Sequence, residues 1–394
     1  TKIMAKELAP HHVTVNALAP GPFVSKMTAF ATADAETREK VGQAVPRGRV
    51  GRDEDIAGCV QFLCGRGGSY LTGALLPVSG GIQVMSGPNL FRAALEGEDM
   101  IEFTDRVALV TGAGAGLGRC HALGLAARGA RVVVNDMGAG AEAVVAEIEA
   151  AGGQALAHRA DVSDIEMVGD MIAQTMARWG RVDCLVNNAG ILRDKSFAKM
   201  DMADFRRVID VHLVGSANCC HAVWPIMRAQ GYGRIVLTSS GSGLYGNFGQ
   251  ANYGAAKAAM VGLMNVLHLE GARDDIRINT LAPTAATAMT NGLLPEAALT
   301  LLNPETITPG VLFLLGQDAP SRTILSAGAG TFAVTQIRET QGTLIEGEIT
   351  PEIIASQWEQ ITDATGAEDL ENAFAQTRKY ALRAAAAKGI ALDW

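Results

Sequence analysis

No stretch of the 394-residue chain reaches the roughly eighteen uninterrupted apolar residues of a membrane-spanning helix, although 48% of its residues are apolar. The chain reads as soluble, with enough apolar material for one large α/β domain and an appendage, or for two domains. A basic surplus is missing as well: 33 Lys and Arg stand against 41 Asp and Glu, for a formal charge of -8. That balance argues against nucleic acid or anionic lipid as the main partner, since both reward a basic surface. Cys59, Cys64, Cys120, Cys184, Cys219 and Cys220 show neither Cys-x-x-Cys spacing nor a secreted framework, and read as reduced core thiols. Neither His-x-x-x-His nor carboxylates clustered at helical spacing occur, so no metal site is expected, and the adjacent His11 and His12 read as solvated. No charged-then-apolar leader opens the chain and no peroxisomal tripeptide closes it at Ala391-Leu-Asp-Trp394. The expected setting is cytoplasmic.

What is present is an alternation of strand and helix. The apolar run Arg106-Val-Ala-Leu-Val110 predicts a buried parallel strand, followed at once by Thr111-Gly-Ala-Gly-Ala-Gly-Leu-Gly118. Gly112, Gly116 and Gly118 permit a tight turn and the close approach of a pyrophosphate, which would sit on the N-terminus of a helix over about 117–128. A second strand, Arg131-Val-Val-Val-Asn135, ends in Asp136, eighteen residues beyond Gly118. An acidic residue there would bond the adenosine ribose and repel a 2′-phosphate, which points to NAD rather than NADP. Helices over 141–151 and 165–179 and strands over 154–158 and 183–187 follow, then a helix near 205–223 and the strand 234–238. This order predicts a doubly wound parallel sheet, a Rossmann-like α/β fold.

Chemistry gathers near residue 250. In Asn252-Tyr-Gly-Ala-Ala-Lys257, Tyr253 and Lys257 lie four apart and share one face of a helix. A cation held near a phenol favours its ionised form, and so makes a usable base of a group whose reference pKa is about 10. Ser240, thirteen residues before Tyr253, could donate to a carbonyl oxygen and stabilise developing charge, or simply cap a strand end. The glycine loop, Asn187-Asn-Ala-Gly190, Ser240 and the Tyr253/Lys257 pair stand in the order and spacing of the short-chain dehydrogenase/reductase family, which the chain resembles over about 104–340. The resemblance implies catalysis by Ser240, Tyr253 and Lys257. It implies dinucleotide binding by Gly112, Gly116, Leu117, Gly118, Asp136, Asp161, Val162, Asn188, Ala189 and Gly190, by Tyr253 and Lys257, and by the Thr287 hydroxyl at the nicotinamide amide. Tyr253 would exchange a proton with the substrate oxygen while a hydride moves between substrate carbon and nicotinamide. One departure stands out: His212 occupies a place where members usually carry Asn.

The blocks 187–197, 246–253 and 282–290 further resemble the (3R)-hydroxyacyl-CoA dehydrogenase unit of type 2 peroxisomal multifunctional enzymes, as does a helical extension over 341–394. That implies oxidation of a (3R)-hydroxyacyl thioester, with NAD as cofactor, by a homo-oligomer that is a dimer or a tetramer. The same residues would equally serve a 3-oxoacyl reductase or a steroid or alcohol dehydrogenase, and a non-catalytic cofactor-binding scaffold is the reading outside enzymology. Residues 1–85 tell a second story. Residues 3–20 match 266–283 without a gap at a fixed offset of 263, and Tyr70-Leu-Thr-Gly-Ala-Leu-Leu-Pro-Val-Ser-Gly-Gly81 resembles the family's last strand. The segment is expected to be the C-terminal half of a second dehydrogenase, without glycine loop, Tyr or Lys, joined through a linker at 86–103. Its exposed strand edge must be covered. Pairing of residues 51–81 with 307–330, in imitation of the family's dimer contact, is expected to cover it, the alternative being sequence upstream of Thr1.

Overall fold

The structure, a computed structural model, describes residues 1–25, 28, 32, 34–43, 45–81, 100–286 and 296–393. It divides into two compact units, Thr1–Met100 and Ile101–Trp394. Most of the expected linker lies outside the described residues.

In the first unit, helices α1 (Lys2–Leu8), α2 (Ala35–Gln43) and α3 (Asp53–Cys64) accompany two parallel strands, β1 (Ala17–Pro20) and β2 (Leu75–Val78). β1 starts only at Ala17, because the Val15 N–H goes to the Thr72 hydroxyl at 3.0 Å and Asn16 bonds through its side chain. Asn16 donates to Leu71 O (2.8 Å) and accepts from Ala74 N (3.0 Å). Asn279, at the offset of 263, does the same in the second unit, donating to Pro320 O (2.7 Å) and accepting from Thr323 N (3.0 Å). The pairing repeats too: Ala17↔Leu75 to Pro20↔Val78 recurs as Thr280↔Ile324 to Pro283↔Ala327. The sequence repeat is therefore a structural repeat of two neighbouring strands.

The second unit is built on an eight-stranded sheet of order β10-β9-β8-β7-β6-β3-β4-β5. Its strands are β3 (Val107–Thr111), β4 (Arg131–Asn135), β5 (Gln154–His158), β6 (Cys184–Asn187), β7 (Gly233–Thr238), β8 (Ile276–Thr284), β9 (Ile324–Gly328) and β10 (Thr331–Thr335). All pairings are parallel except that of β10, which turns back on β9 after Ala329-Gly330 and adds an antiparallel edge strand. β3 is buried along its whole length and its side chains alternate between two cores. Ala108 and Val110 pack with α4 (Gly116–Ala126) and α5 (Gly140–Ala150), while Val107 and Leu109 pack with α6 (Ile165–Trp179) on the other face. Helix α6 shows why these segments are helical: Asp164 caps it by accepting from Glu166 N and Met167 N, and Val168, Met171, Ile172 and Thr175 form its buried stripe. Gly180, at φ 72°, ends it.

The helix expected over 205–223 is three elements. Helix α7 (Met202–Ile209) runs into a π turn (Asp210–Val214) and then into α8 (Gly215–Gln230), which continues through Pro225. Downstream, α9 (Gly241–Tyr245) and the long α10 (Ala251–Gly271) lead into β8, and α12 (Thr308–Leu315), preceded by the short α11 (Glu296–Leu301), packs on the α4 side. Beyond β10 the chain forms short helices α13 (Pro351–Ser356) and α14 (Trp358–Thr362), then α15 (Ala373–Ala387), which make up the expected helical extension. Asn372 caps α15 by accepting from Ala375 N.

Candidate active site

Because β3 has β4 on one side and β6 on the other, the chain reverses its direction of travel across the sheet between β3 and β6. Parallel sheets bind ligands at the carboxyl ends of strands flanking such a point. The two loops that meet there are the glycine loop and Asn188-Ala-Gly190. Gly112 has φ 60°, and a Cβ on it would lie 2.7 Å from the Ala189 backbone. A Cβ on Gly118 would strike the Gly112 carbonyl and the Asn188 amide. Asn188 stitches the loops together, its Nδ2 donating to Thr111 O and Gly112 O at 3.0 Å each. Both amide hydrogens are thereby spent on protein backbone, so Asn188 shapes the cofactor loop instead of reaching toward a ligand with its side chain. Ala115, before α4, supplies no side-chain cap, and the first N–H groups of the helix, those of Gly116, Leu117 and Gly118, have no intrahelical acceptor. Such a helix start suits an anion.

Asp136, half-buried at the end of β4, accepts from Gly114 N (3.0 Å) and Gly138 N (2.8 Å). Asp161 and Val162 flank the same end of the sheet after β5. The Asp161 carboxylate accepts from Arg207 (2.7 Å) and from the Ser163 N–H (2.9 Å) and hydroxyl (2.7 Å). Burial pushes its pKa up, but these bonds outweigh burial and hold the group below the usual carboxylate range. Val162 is buried against Gly215, with its carbonyl bound by Asn218 (3.0 Å). Thr287 lies outside the described residues.

The second half of the site is brought together by β7, α9 and α10. Ser240 follows β7, caps α9 by accepting from Ser242 N at 3.2 Å, and bears on the Tyr253 phenol. Tyr253 sits in the first turn of α10, and the Lys257 ammonium lies 5.6 Å from its ring centroid. Lys257 is buried, donates to Thr238 O at 2.6 Å, and is pushed down to about 7 by burial. Burial raises the Tyr253 phenol above its ordinary value, with the Ser240 bond opposing and Asp194 adding to the rise. Lys257 is not among the causes acting on the phenol in the protein alone, and burial drives its own ammonium toward the neutral form.

His212 lies in the π turn, edge-on to Tyr253 with ring centroids 5.2 Å apart. Its Nε2 stands 2.9 Å from the carbonyl and 3.0 Å from the N–H of Ile191, so the backbone of one residue meets the ring, while Nδ1 has no partner. Burial, and then the nearby Lys257, push its pKa down to about 3, so it is neutral. The sequence flagged His212 as a departure but not this contact, nor Gln250, Asn252 and Asp194. Asn252 Nδ2 donates to Arg193 O (2.9 Å) and Gln250 Nε2 to Asp194 (2.7 Å), which binds the segment after Gly190 to the start of α10. The signal that could have found them is polar residues in Gly249-Gln-Ala-Asn252, at the buried entrance of a helix.

Residues 106–297 match the family described as short chain dehydrogenase, and residues 1–83 match one described as Enoyl-(Acyl carrier protein) reductase. A putative short-chain type dehydrogenase/reductase of Mycobacterium tuberculosis is 43% identical over 274 residues, which cover 67% of this chain and 96% of that protein. The chain belongs to the short-chain dehydrogenase/reductase family. The peroxisomal hydratase-dehydrogenase-epimerase of Saccharomyces cerevisiae is 45% identical over 278 residues, 67% of this chain but 31% of that protein. The solved full-length peroxisomal multifunctional enzyme type 2 of Drosophila melanogaster is 39% identical with a TM-score of 0.63, covering 72% of this chain and 50% of that one. The chain thus spans less than two thirds of the length of these peroxisomal relatives, from 31% to 61%.

Family membership makes the protein an oxidoreductase that uses a nicotinamide cofactor. The residues present fit that group. The Cβ-free approach at Gly112 and Gly118, the uncapped start of α4 and the carboxylate of Asp136 together form a surface for a pyrophosphate and an adenosine ribose.

Proposed function

We propose that the protein oxidises the secondary alcohol of a (3R)-hydroxyacyl thioester to the 3-oxo form with NAD, acting as a dimer or a tetramer. The observation that carries this reading is the gathering of Ser240, Tyr253 and buried Lys257 by β7, α9 and α10, with the Lys257 ammonium 5.6 Å from the Tyr253 ring centroid. Asp136 supports NAD over NADP: it stands at the end of β4 bonded to the glycine loop, where a 2′-phosphate would meet a like charge. The thioester is supported by the peroxisomal relatives, and by the exposed Tyr245 and Phe248, which give the stretch between Ser240 and Tyr253 an apolar outer surface.

In this mechanism the bound nicotinamide supplies the hydride acceptor. Ser240 holds the substrate oxygen by its hydroxyl, and Tyr253 as phenolate takes the O–H proton while the carbon gives up its hydride. Lys257 has donors beyond the one given to Thr238 O. With them Lys257 would hold the hydroxyls of a nicotinamide ribose, and a Lys257 cation satisfied in that way would favour the phenolate. His212 stays neutral and keeps the loop after Gly190 under the tyrosine.

The test is a rate assay of NAD and NADP against hydroxyacyl thioesters, steroids and simple alcohols, on the protein and on Tyr253→Phe. Turnover of (3R)-hydroxyacyl thioesters should fall at least 10²-fold in the variant, with NAD binding nearly unchanged because the ring still packs against His212. Turnover confined to steroids or simple alcohols would overturn the substrate. A variant that retains more than about a tenth of kcat would overturn the role of Tyr253.

A further inference from the structure

Gln250 is buried beside the site, and its side-chain amide can point only one way. Its Nε2 donates to Asp194 Oδ2 at 2.7 Å, while its Oε1 accepts from Ser242 Oγ (2.7 Å) and Asn247 Nδ2 (3.1 Å). An ionised carboxylate accepts and cannot donate, so Asp194 forbids the flipped amide, which would also set two NH₂ groups against each other at Asn247. Ser242, held in this way, directs its backbone N–H to Ser240 Oγ at 3.2 Å. That lone pair being used, the Ser240 proton is left for the phenol or a substrate oxygen. Asp194 itself is held by the flanking bonds Lys195 N to Gly249 O and Asn252 Nδ2 to Arg193 O, both 2.9 Å.

We propose that Asp194 and Gln250 are a positioning pair: through Ser242 they orient the Ser240 hydroxyl, and the bond to Gln250, three residues before Tyr253, holds the Asp194 carboxylate as a negative charge next to the site. The groups that bear on Tyr253 are Lys257 from its own helix and His212 from the π turn, which lie against its ring, and, by charge or polarity, Ser240 from the end of β7 and Asp194 from the segment after Gly190. Lys257 is a cation near its titration point and His212 is neutral, so Asp194 brings the negative charge. A negative charge disfavours the phenolate, and its removal lowers the pH of ionisation. The inference rests on Tyr253 as the proton-transfer group.

The experiment follows tyrosinate by ultraviolet difference absorbance, wild type minus Tyr253→Phe, beside the pH profile of kcat with NAD, in Asp194→Asn and in the double variant Asp194→Asn/Gln250→Glu. In Asp194→Asn the Tyr253 midpoint and the acidic limb of kcat should both move to lower pH, and the pH-independent plateau should fall ~10-fold as the hydroxyl loses its orientation. The double variant returns a carboxylate, now at position 250, that accepts from the new amide at position 194, from Ser242 and from Asn247, so plateau and limb should recover. NAD affinity should not change in either. A lower plateau with an unmoved midpoint, or a double variant no better than the single one, overturns the proposal. If Asp194→Asn does not fold, the double variant is compared with Gln250→Glu alone, in which two facing carboxylates should raise the midpoint. A moved midpoint without turnover of any hydroxyacyl thioester upholds the pair and overturns only the substrate reading.

Discussion

Asp136 shows how much one side chain can decide and how little of that is visible in a spacing. Its two oxygens each take a backbone N–H, from Gly114 in the glycine loop and from Gly138, two residues before α5. It is thus a clamp on the loop as well as a charge. Asp136→Ala should raise NADP use relative to NAD by roughly tenfold, equivalent to about 1.4 kcal/mol of differential binding. It should also lower stability by about 1–3 kcal/mol through the two charge-assisted bonds lost. Measured kcat/KM ratios for the two cofactors, with thermal unfolding in parallel, check both. A variant that loses stability at an unchanged ratio would leave Asp136 the clamp and assign the preference elsewhere. Asp161, expected in the dinucleotide site, is of the same kind: its carboxylate is already engaged by Ser163 two residues on and by Arg207, a contact 46 residues away that no local pattern reveals.

At the scale of elements, strands and their order were legible because buried parallel strands are short apolar runs with glycine or polar residues at their ends; β4 and β5 fall where the sequence puts them. The π turn was not legible, because the apolar period of 205–223 is compatible with one unbroken helix and the extra residue is absorbed in the backbone. Its function is visible only in the fold: it carries His212 to the backbone of Ile191 and to the edge of Tyr253. β10 was missed for another reason, since its residues are mostly exposed and lack the buried-strand pattern. Gly190→Ala tests the element directly. A Cβ there would collide with the imidazole of His212, with Nδ1 and Nε2 at 3.0 Å. His212 must then leave Ile191, at an overpacking cost of about 1–3 kcal/mol. The expected result is a lower melting temperature, together with a fall in kcat larger than the change in NAD affinity. Unchanged kcat would mean that the contact is packing alone.

At the scale of the whole chain, the two units differ in what their repeat contains. β1 and β2 reproduce the register of β8 and β9, down to the bonds of Asn16 and Asn279. Yet β8 pairs also with β7, and β1 has no second neighbour among the described residues. β7 and α10 are the elements that bring Ser240, Tyr253 and Lys257 together, and the positions that would match Tyr253 and Lys257 at the offset of 263 fall before Thr1. Nothing in the described first unit therefore duplicates the site, whereas every described residue assigned to it lies within Ile101–Trp394. Removing residues 1–95 should leave NAD affinity and kcat within about twofold of the intact chain, since the described site residues all belong to the second unit. What should change is association or solubility, because an open strand edge seeks a partner. Isothermal titration with NAD, steady-state rates and light scattering on the shortened chain decide it. A shortened chain that folds and keeps its oligomeric state but loses NAD binding would show that the first unit contributes to the active site, against the division of labour argued here.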